Sequence, residues 1–217
     1  MLDEEIINRL EDLSSTLLAD VMNYENVMDC KIKPINYKKK LVGQARTISV
    51  YPGDNLYIHY GIYEADPGEI LVVDGKDSEV SAYIGNLMAA AAEQLGIKGI
   101  VIDGLVRDKR ELEEMDIQIY AKGLYSKGPR KNGPGSMDET IQCGGVVVNS
   151  SDFIVGDEDG VLVIPYKKAE EFIVKAENKK NYEIERLNTI QNFKNDINSD
   201  KSTIEPKWLR QSLESNT

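Results

Sequence analysis

The sequence predicts one mixed α/β domain over residues 1–166, followed by a helical C-terminal arm and polar tail over residues 167–217. Three observations carry that prediction. Short apolar runs at 42–50, 70–75 and 99–103 alternate with stretches of helical spacing, the pattern of α/β units. Three more runs, 143–149, 152–157 and 160–165, follow one another with only turns between them, so the end of the core is β-rich. From Lys167 the chain becomes a long charged helix whose apolar stripe is too thin to bury itself on one small domain.

The elements follow in order. Ile6, Leu10, Leu13, Leu17 and Leu18 fall on one side of a helix over 6–18; Ser14-Ser15-Thr16 interrupts it, and a second short helix opens at Ser15. Residues 23–40 read as irregular, with Lys38-Lys39-Lys40 solvated, and 42–50 as a strand. Gly53-Asp54-Asn55 starts a helix with Asp54 as N-cap and Leu56, Tyr57, Tyr60 and Ile62 as its apolar side. Pro67-Gly68 turns into a strand closed by Asp74-Gly75. Ile84, Leu87, Met88, Ala91 and Leu95 give a helix over 81–95, ended by Gly96. The next strand ends in the turn signal Asp103-Gly104 and delivers Arg107 and Asp108 just before a short helix over 111–115. A strand over 117–121 and a Gly/Pro-containing loop over 123–137 follow. In the arm, Phe172, Ile173 and Ala176 mark one apolar side, and Ile184, Leu187 and Ile190 another, suited to a neighbouring subunit or to solvent. From Asp196 onward the chain is polar apart from Ile204, Trp208 and Leu209.

Composition excludes several functions. The 217 residues carry a net charge of −11, which argues against a nucleic-acid binder needing a basic face. Cys30 and Cys143 are too few for a disulfide framework and lack zinc-ligand spacing. No apolar leader and no run of membrane-spanning length is present, so a soluble cytoplasmic protein without membrane contact is expected. There is no dinucleotide or P-loop glycine motif and no nucleophile elbow. His59, the single histidine, rules out multi-histidine metal sites and reads as a satisfied residue on a helix face.

Oxygen chemistry remains. Carboxylates and water suit Mg2+ or Mn2+. Asp108 is the candidate metal ligand, Glu111 a partner for the ion's waters, and Arg107 a cation for a developing oxyanion. Asp108 and Glu111 equally form a capping-box pattern, and Arg107 equally suits solvent or Glu114. If a helix begins at Gly85, the amides of Leu87 and Met88 are free to hold a carboxylate; if it begins at Ser81, they are not. The basic loop 126–135 fits either a cover over an anionic ligand or a solvated surface.

The succession GDNLYIH (53–59), PGEILVVDG (67–75), GNLMAAAAEQLGIKGIVIDGLVRD (85–108), GPRKNGPG (128–135) and CGGVVVNSSDFIVGDEDGVLVIP (143–165) resembles the RraA-like family. That family includes class II 4-hydroxy-4-methyl-2-oxoglutarate/4-carboxy-4-hydroxy-2-oxoadipate aldolases. The resemblance implies a swivelling β/β/α domain, an αββα sandwich, assembled as homotrimers or hexamers with active sites between subunits. It implies a lyase that uses a divalent metal to stabilise pyruvate enolate. Such an enzyme would cleave a small 4-hydroxy-2-oxo acid or decarboxylate oxaloacetate. By this resemblance Gly85, Asn86, Leu87, Met88 and Arg107 bind substrate, Asp108 binds the metal, and Arg107, Asp108 and Glu111 are catalytic. The aldolases carry an acid where this chain has Asn86, and take a glutamate from a neighbour's C-terminal helix, for which Glu183 or Glu185 is the match. A second class of member binds and inhibits ribonuclease E. Those regulators lack the acid three residues after the aspartate, so Glu111 points toward lyase chemistry. A non-catalytic binder of a ribonuclease or other protein is the alternative.

Overall fold

The computed structural model describes residues 3–193 and 200–215; the start of the polar tail at Asp196 lies outside the described residues. The strands are β1 Lys33–Asn36, β2 Leu41–Val50, β3 Ile70–Ile84, β4 Gly99–Val106, β5 Gln118–Leu124, β6 Gly135–Met137, β7 Ile141–Cys143, β8 Val146–Val148, β9 Phe153–Gly156 and β10 Val161–Ile164. The helices are α1 Glu4–Glu11, α2 Ser15–Val21, α3 Leu56–Glu64, α4 Asn86–Gln94, α5 Lys109–Glu114, α6 Ala169–Asn192 and α7 Lys207–Ser215.

Eight strands form one sheet in the order β1-β5-β4-β3-β2-β9-β10, with β6 also on β2, while β7 and β8 make a separate hairpin. β2, β3, β4 and β5 are parallel neighbours, and α3, α4 and α5 make the three crossovers. Alternate strand residues serve opposite faces, as a period of two requires. Val73 and Ile102 pack with Ile58, Ile62, Ala89 and Leu112 of the crossover helices. Val72 and Val101 pack with Cys143, Val146 and Val148 of the hairpin and with Ile154 and Val163. A third cluster joins Ile7, Leu10, Leu18, Ile173 and Ala176 of α1, α2 and α6 to the far face of β9 and β10. The curled sheet thus has helices outside both ends, which is the expected β/β/α layering.

The N-terminal helices are held by burial and by charge. Leu10, Leu13 and Leu18 are at most 1% exposed, each worth roughly 1.5–3 kcal/mol. Arg9 forks onto Glu170 and Glu177 at 2.8–2.9 Å and fastens α1 to α6. Lys40 is not solvated: its ammonium donates to the carbonyls of Leu10, Glu11 and Leu13 at the end of α1 and the turn after it.

Several sequence expectations are corrected. Residues 81–84 are strand, not helix, because Ala82 and Ile84 pair with Leu105 and Val106 of β4. The helix starts after Gly85, and Leu87, expected in the core, is 82% exposed. Asp74-Gly75 and Asp103-Gly104 do not end strands. They lie inside β3 and β4, where the Tyr83 ring covers both glycines and a Cβ on Gly104 would sit 2.5 Å from its Cε2. The run 143–149 is part of a hairpin turned at Gly144 and Gly145, both at positive φ. The irregular stretch contains β1, which pairs with β5 despite carrying few apolar residues. On α3 the buried side is Ile58, Gly61 and Ile62, while Leu56 and Tyr60 are exposed.

β5 carries a buried cation. The Lys122 side chain is 4% exposed, with Nζ 2.5 Å from both Asp103 Oδ1 and Asp77 Oδ1. Asp103 Oδ2 also accepts from the Gly144 amide. Lys122→Met leaves the Asp103 charge buried without its counter-ion, and is expected to cost about 3–5 kcal/mol. The check is a lower urea midpoint at an unchanged m value.

Candidate active site

The carboxyl ends of β3 and β4 lie side by side, and both strands lead into helices there. This is where ligands sit in parallel α/β sheets. The Arg107 amide donates to Ile84 O at 3.0 Å, locking the two strand ends together. Asp108 follows at the N-cap position of α5, but its side chain makes no capping bond. Its backbone is left-handed, φ 64° and ψ 43°, a strained conformation for a residue other than glycine. That geometry swings the carboxylate away from α5, and Oδ2 accepts from the Asn86 amide at 3.1 Å. The capping-box alternative is therefore set aside.

Gly85 makes this crossing possible. A Cβ there would lie 2.2 Å from Asp108 Oδ2 and 3.0 Å from Arg107 Cγ. Gly85 has no side chain to cap α4, so the first-turn amides of Leu87 and Met88 are aimed outward with no partner within the helix. Asn86 occupies the first position of that turn. Arg107 Nε sits 3.8 Å from Asp108 Oδ2, not on Glu114, and its guanidinium passes Gly128, where a Cβ would be 2.9 Å from Nη1.

The basic loop is tied down beside this point through its backbone, while most of its side chains stay exposed. Lys127 O accepts from Ala82 N, Arg130 O from Asn55 N, and Arg130 N donates to Gly53 O, all within 3.0 Å. The N-cap of α3 is Asn55 and not the expected Asp54; Asp54, one residue before it, accepts from Leu56 N and from Asn132 N at 2.6 Å. Burial works to raise the Asp54 pKa, but the amides of Asn132, Leu56 and Gly133 outweigh it and lower the pKa. The clasp thus holds above the ordinary carboxylate range and loosens as the carboxylate protonates in acid.

Together these groups enclose a cavity of about 240 Å3, lined by Gly85, Asn86, Leu87, Met88, Arg107 and Asp108, by Gly128, Pro129 and Lys131 of the loop, and by Asn55, His59, Tyr83 and Ile84. It is smaller than the ~300–1,000 Å3 of drug-sized sites, so it suits a small metabolite. Arg107, Lys131 and the free amides of α4 make one side favourable to an anion. Every expected substrate-binding residue lines it. Glu111 does not: it is exposed on the first turn of α5. Glu183 and Glu185 lie far along α6, exposed, with Glu183 3.6 Å from Lys179. Among the described residues no three His, Cys, Asp or Glu side chains converge as a metal-ligand group.

His59 and Asn55 were not expected here, whereas Lys131 belongs to the basic loop that one of the two readings placed over a ligand. His59 lies one helical turn after Asn55, so the N-x-x-x-H spacing within GDNLYIH places both on one side of α3. Burial, and then Lys131, lower the His59 pKa below its ordinary 6.5, so the imidazole is neutral at pH 7.

A larger cavity, about 750 Å3, opens on the other face of the sheet among Asp29, Asp74, Asp103 and Lys122. Lys122 pairs there with Asp29, Asp77 and Asp103, and Lys76 with Asp74, but with Glu139 five carboxylates face two ammonium groups, so this cavity is acidic and does not favour an anion.

Fold and site define a mixed α/β protein, parallel at the centre of its sheet, with a helix start of free amides beside a left-handed aspartate that caps nothing. The chain belongs to the RraA-like family: the family description "Aldolase/RraA" matches residues 15–163. A protein of Halalkalibacterium halodurans named putative 4-hydroxy-4-methyl-2-oxoglutarate aldolase is 36% identical over 81% of this chain and 83% of its own. The 4-hydroxy-4-methyl-2-oxoglutarate aldolase of Thermus thermophilus is 32% identical over 70% of this chain and 92% of its own. Among solved structures, the Thermus RNA-processing inhibitor RraA superposes with TM-score 0.64 at 32% identity, over 70% of this chain and 92% of its own. Streptomyces coelicolor RraAS2 shares the fold, with TM-score 0.78 at 24% identity over 87% of this chain and all of its own. No helix among the described residues is long and apolar enough to cross a membrane.

Proposed function

We propose that this protein is a metal-assisted lyase that cleaves a 4-hydroxy-2-oxo acid and releases pyruvate. Oxaloacetate decarboxylation is open to the same site, because both reactions pass through pyruvate enolate. The Asp108 carboxylate carries this reading: it is held at positive φ, released from its own helix and turned to the start of α4 beside Arg107. The donor set fits a hard, hydrated cation. The Asn86 bond occupies one Asp108 oxygen and leaves the other for a ligand, and one carboxylate with water suits Mg2+ or Mn2+. Bound there, such an ion would supply positive charge toward the 2-oxo oxygen.

The chain's own groups supply the rest. The Leu87 and Met88 amides hold the C1 carboxylate at the positive end of α4. Arg107 stabilises charge that collects on the C2 oxygen. As the C3–C4 bond breaks, the C4 hydroxyl loses its proton and C4 becomes a carbonyl. The bond's electron pair enters the enolate, and a proton at C3 completes pyruvate. Asn86 cannot take the hydroxyl proton as a base. His59, neutral at pH 7, is a cavity side chain that can. Glu111 keeps a supporting role, orienting water beside Asp108. The working site lies between copies of the chain: Leu87 at the cavity and Ile184, Leu187 and Ile190 on α6 are apolar and exposed, as docking surfaces would be. In such a trimer or hexamer Glu183 or Glu185 would approach a neighbour's cavity.

The test is pyruvate release from 4-hydroxy-2-oxo diacids and from oxaloacetate, measured with Mg2+ or Mn2+ and again after chelation. Release that stops with the chelator and returns with metal is expected. No release from any of these substrates with either metal would overturn the proposal. The second reading, a non-catalytic binding protein, is favoured by one residue, Asn86, and gains if a ribonuclease is recovered in place of turnover.

A further inference from the structure

Asn55 is 2% exposed and lines the floor of the cavity. Its Nδ2 donates to Tyr83 O at 2.8 Å and contacts Met88 Sδ at 3.2 Å. Both of those atoms are acceptors, so turning the amide over would set oxygen against oxygen and sulfur. The orientation is therefore fixed. Its backbone is fixed too, through Arg130 O on one side and His59 N on the other. The consequence is that Oδ1 must be an acceptor, and it is buried with no partner. Buried polar atoms are almost always paired, and a bare one carries a desolvation cost that a bound donor removes.

The chemistry of the missing donor can be narrowed. A carboxylate or a 2-oxo oxygen only accepts, so neither satisfies Asn55; those groups belong with the amides of α4 and with Arg107. A hydroxyl donates. We infer that Asn55 Oδ1 receives the hydroxyl of a bound 4-hydroxy-2-oxo diacid, whose single proton turns from Asn55 to His59 only as the C3–C4 bond breaks, and thereby separates hydroxylated ligands from plain 2-oxo diacids. This inference rests on the lyase reading for the class of ligand, and assigns Asn55 as a specificity residue within it. The cavity then has donors at one end for the carboxylate and an acceptor for the hydroxyl.

The experiment compares binding of 4-hydroxy-2-oxoglutarate and 2-oxoglutarate to the full chain by calorimetry, with a chelator present so that neither ligand is consumed. The two differ by one hydroxyl and carry the same charge. The unaltered protein is expected to favour the hydroxylated ligand by about tenfold, one hydrogen bond's worth. Asn55→Ala is expected to lose that preference. Asn55→Asp breaks the same bond to Tyr83 O but keeps an acceptor, and is expected to retain it. A purely structural role would weaken both ligands alike in both variants. Equal binding of the two ligands by the unaltered protein overturns the inference before any variant is made, and a preference that survives in Asn55→Ala overturns it as well. Pyruvate release measured in parallel separates the two proposals. A preference that depends on Asn55 without turnover supports this inference and removes the lyase. Turnover with no such preference does the reverse.

Discussion

Asp108→Asn is expected to lower metal-dependent pyruvate release by roughly 10²–10³-fold or more, while thermal stability stays within about 0.5 kcal/mol of the unaltered protein. The separation follows from the geometry. Asparagine tolerates the left-handed backbone at least as well as aspartate. Its carbonyl oxygen still accepts from the Asn86 amide, the one hydrogen bond the carboxylate makes. What disappears is the charge, and with it the ligand for a cation. Were Asp108 a helix cap, Asp108→Ala would cost about 1 kcal/mol of stability. Here the side chain caps nothing in α5. Asp108→Gly, which also relieves the positive φ of 64°, is then expected to be as stable or more so, and equally inactive. A variant series in which stability falls and activity stays would reverse the assignment. Melting curves and kcat/KM on the same preparations read both.

The parallel strands were legible because each is a short apolar run, and buried strands in this setting have little else to be. The same rule misled at their ends. Asp103-Gly104 carries a turn signal, yet the glycine is there because Tyr83 lies flat on the strand, a contact between residues about twenty apart in sequence. Residues 81–84 fit a helical period with Leu87 and Met88, and only pairing with β4 makes them strand. Local pattern could not weigh that bond pattern against the period. In the site, Arg107 and Asp108 stood out, but what sets the helix cap aside is a φ angle that no spacing encodes. His59 was passed over because a lone histidine on a helix looks ordinary. Its significance comes from the loop that brings Lys131 against it, and that loop is positioned by backbone bonds to Gly53, Asn55 and Ala82.

Gly85→Ala tests the crossing itself. The backbone is no obstacle, since φ −143° and ψ −167° are extended values that alanine adopts freely. The obstacle is space: the new methyl would stand 2.2 Å from Asp108 Oδ2 and 3.1 Å from Arg107 Nε. Neither side chain is trapped, with 34% and 44% of their surfaces exposed, so both can swing outward. The expected stability change is therefore small, about 1 kcal/mol or less, well under that of a clash inside a packed core. The expected loss of kcat/KM is about 10²-fold, because the displaced groups are the carboxylate and the guanidinium that must converge on one substrate. Coupling makes the argument decisive. If the methyl acts by pushing Asp108 aside, Gly85→Ala added to Asp108→Gly should cost far less than it costs alone, since the displaced carboxylate is already gone. Losses that simply multiply in the double variant would mean that Gly85 acts through Arg107 or α4 and not through Asp108, and the carboxylate's position at the start of that helix would lose its meaning.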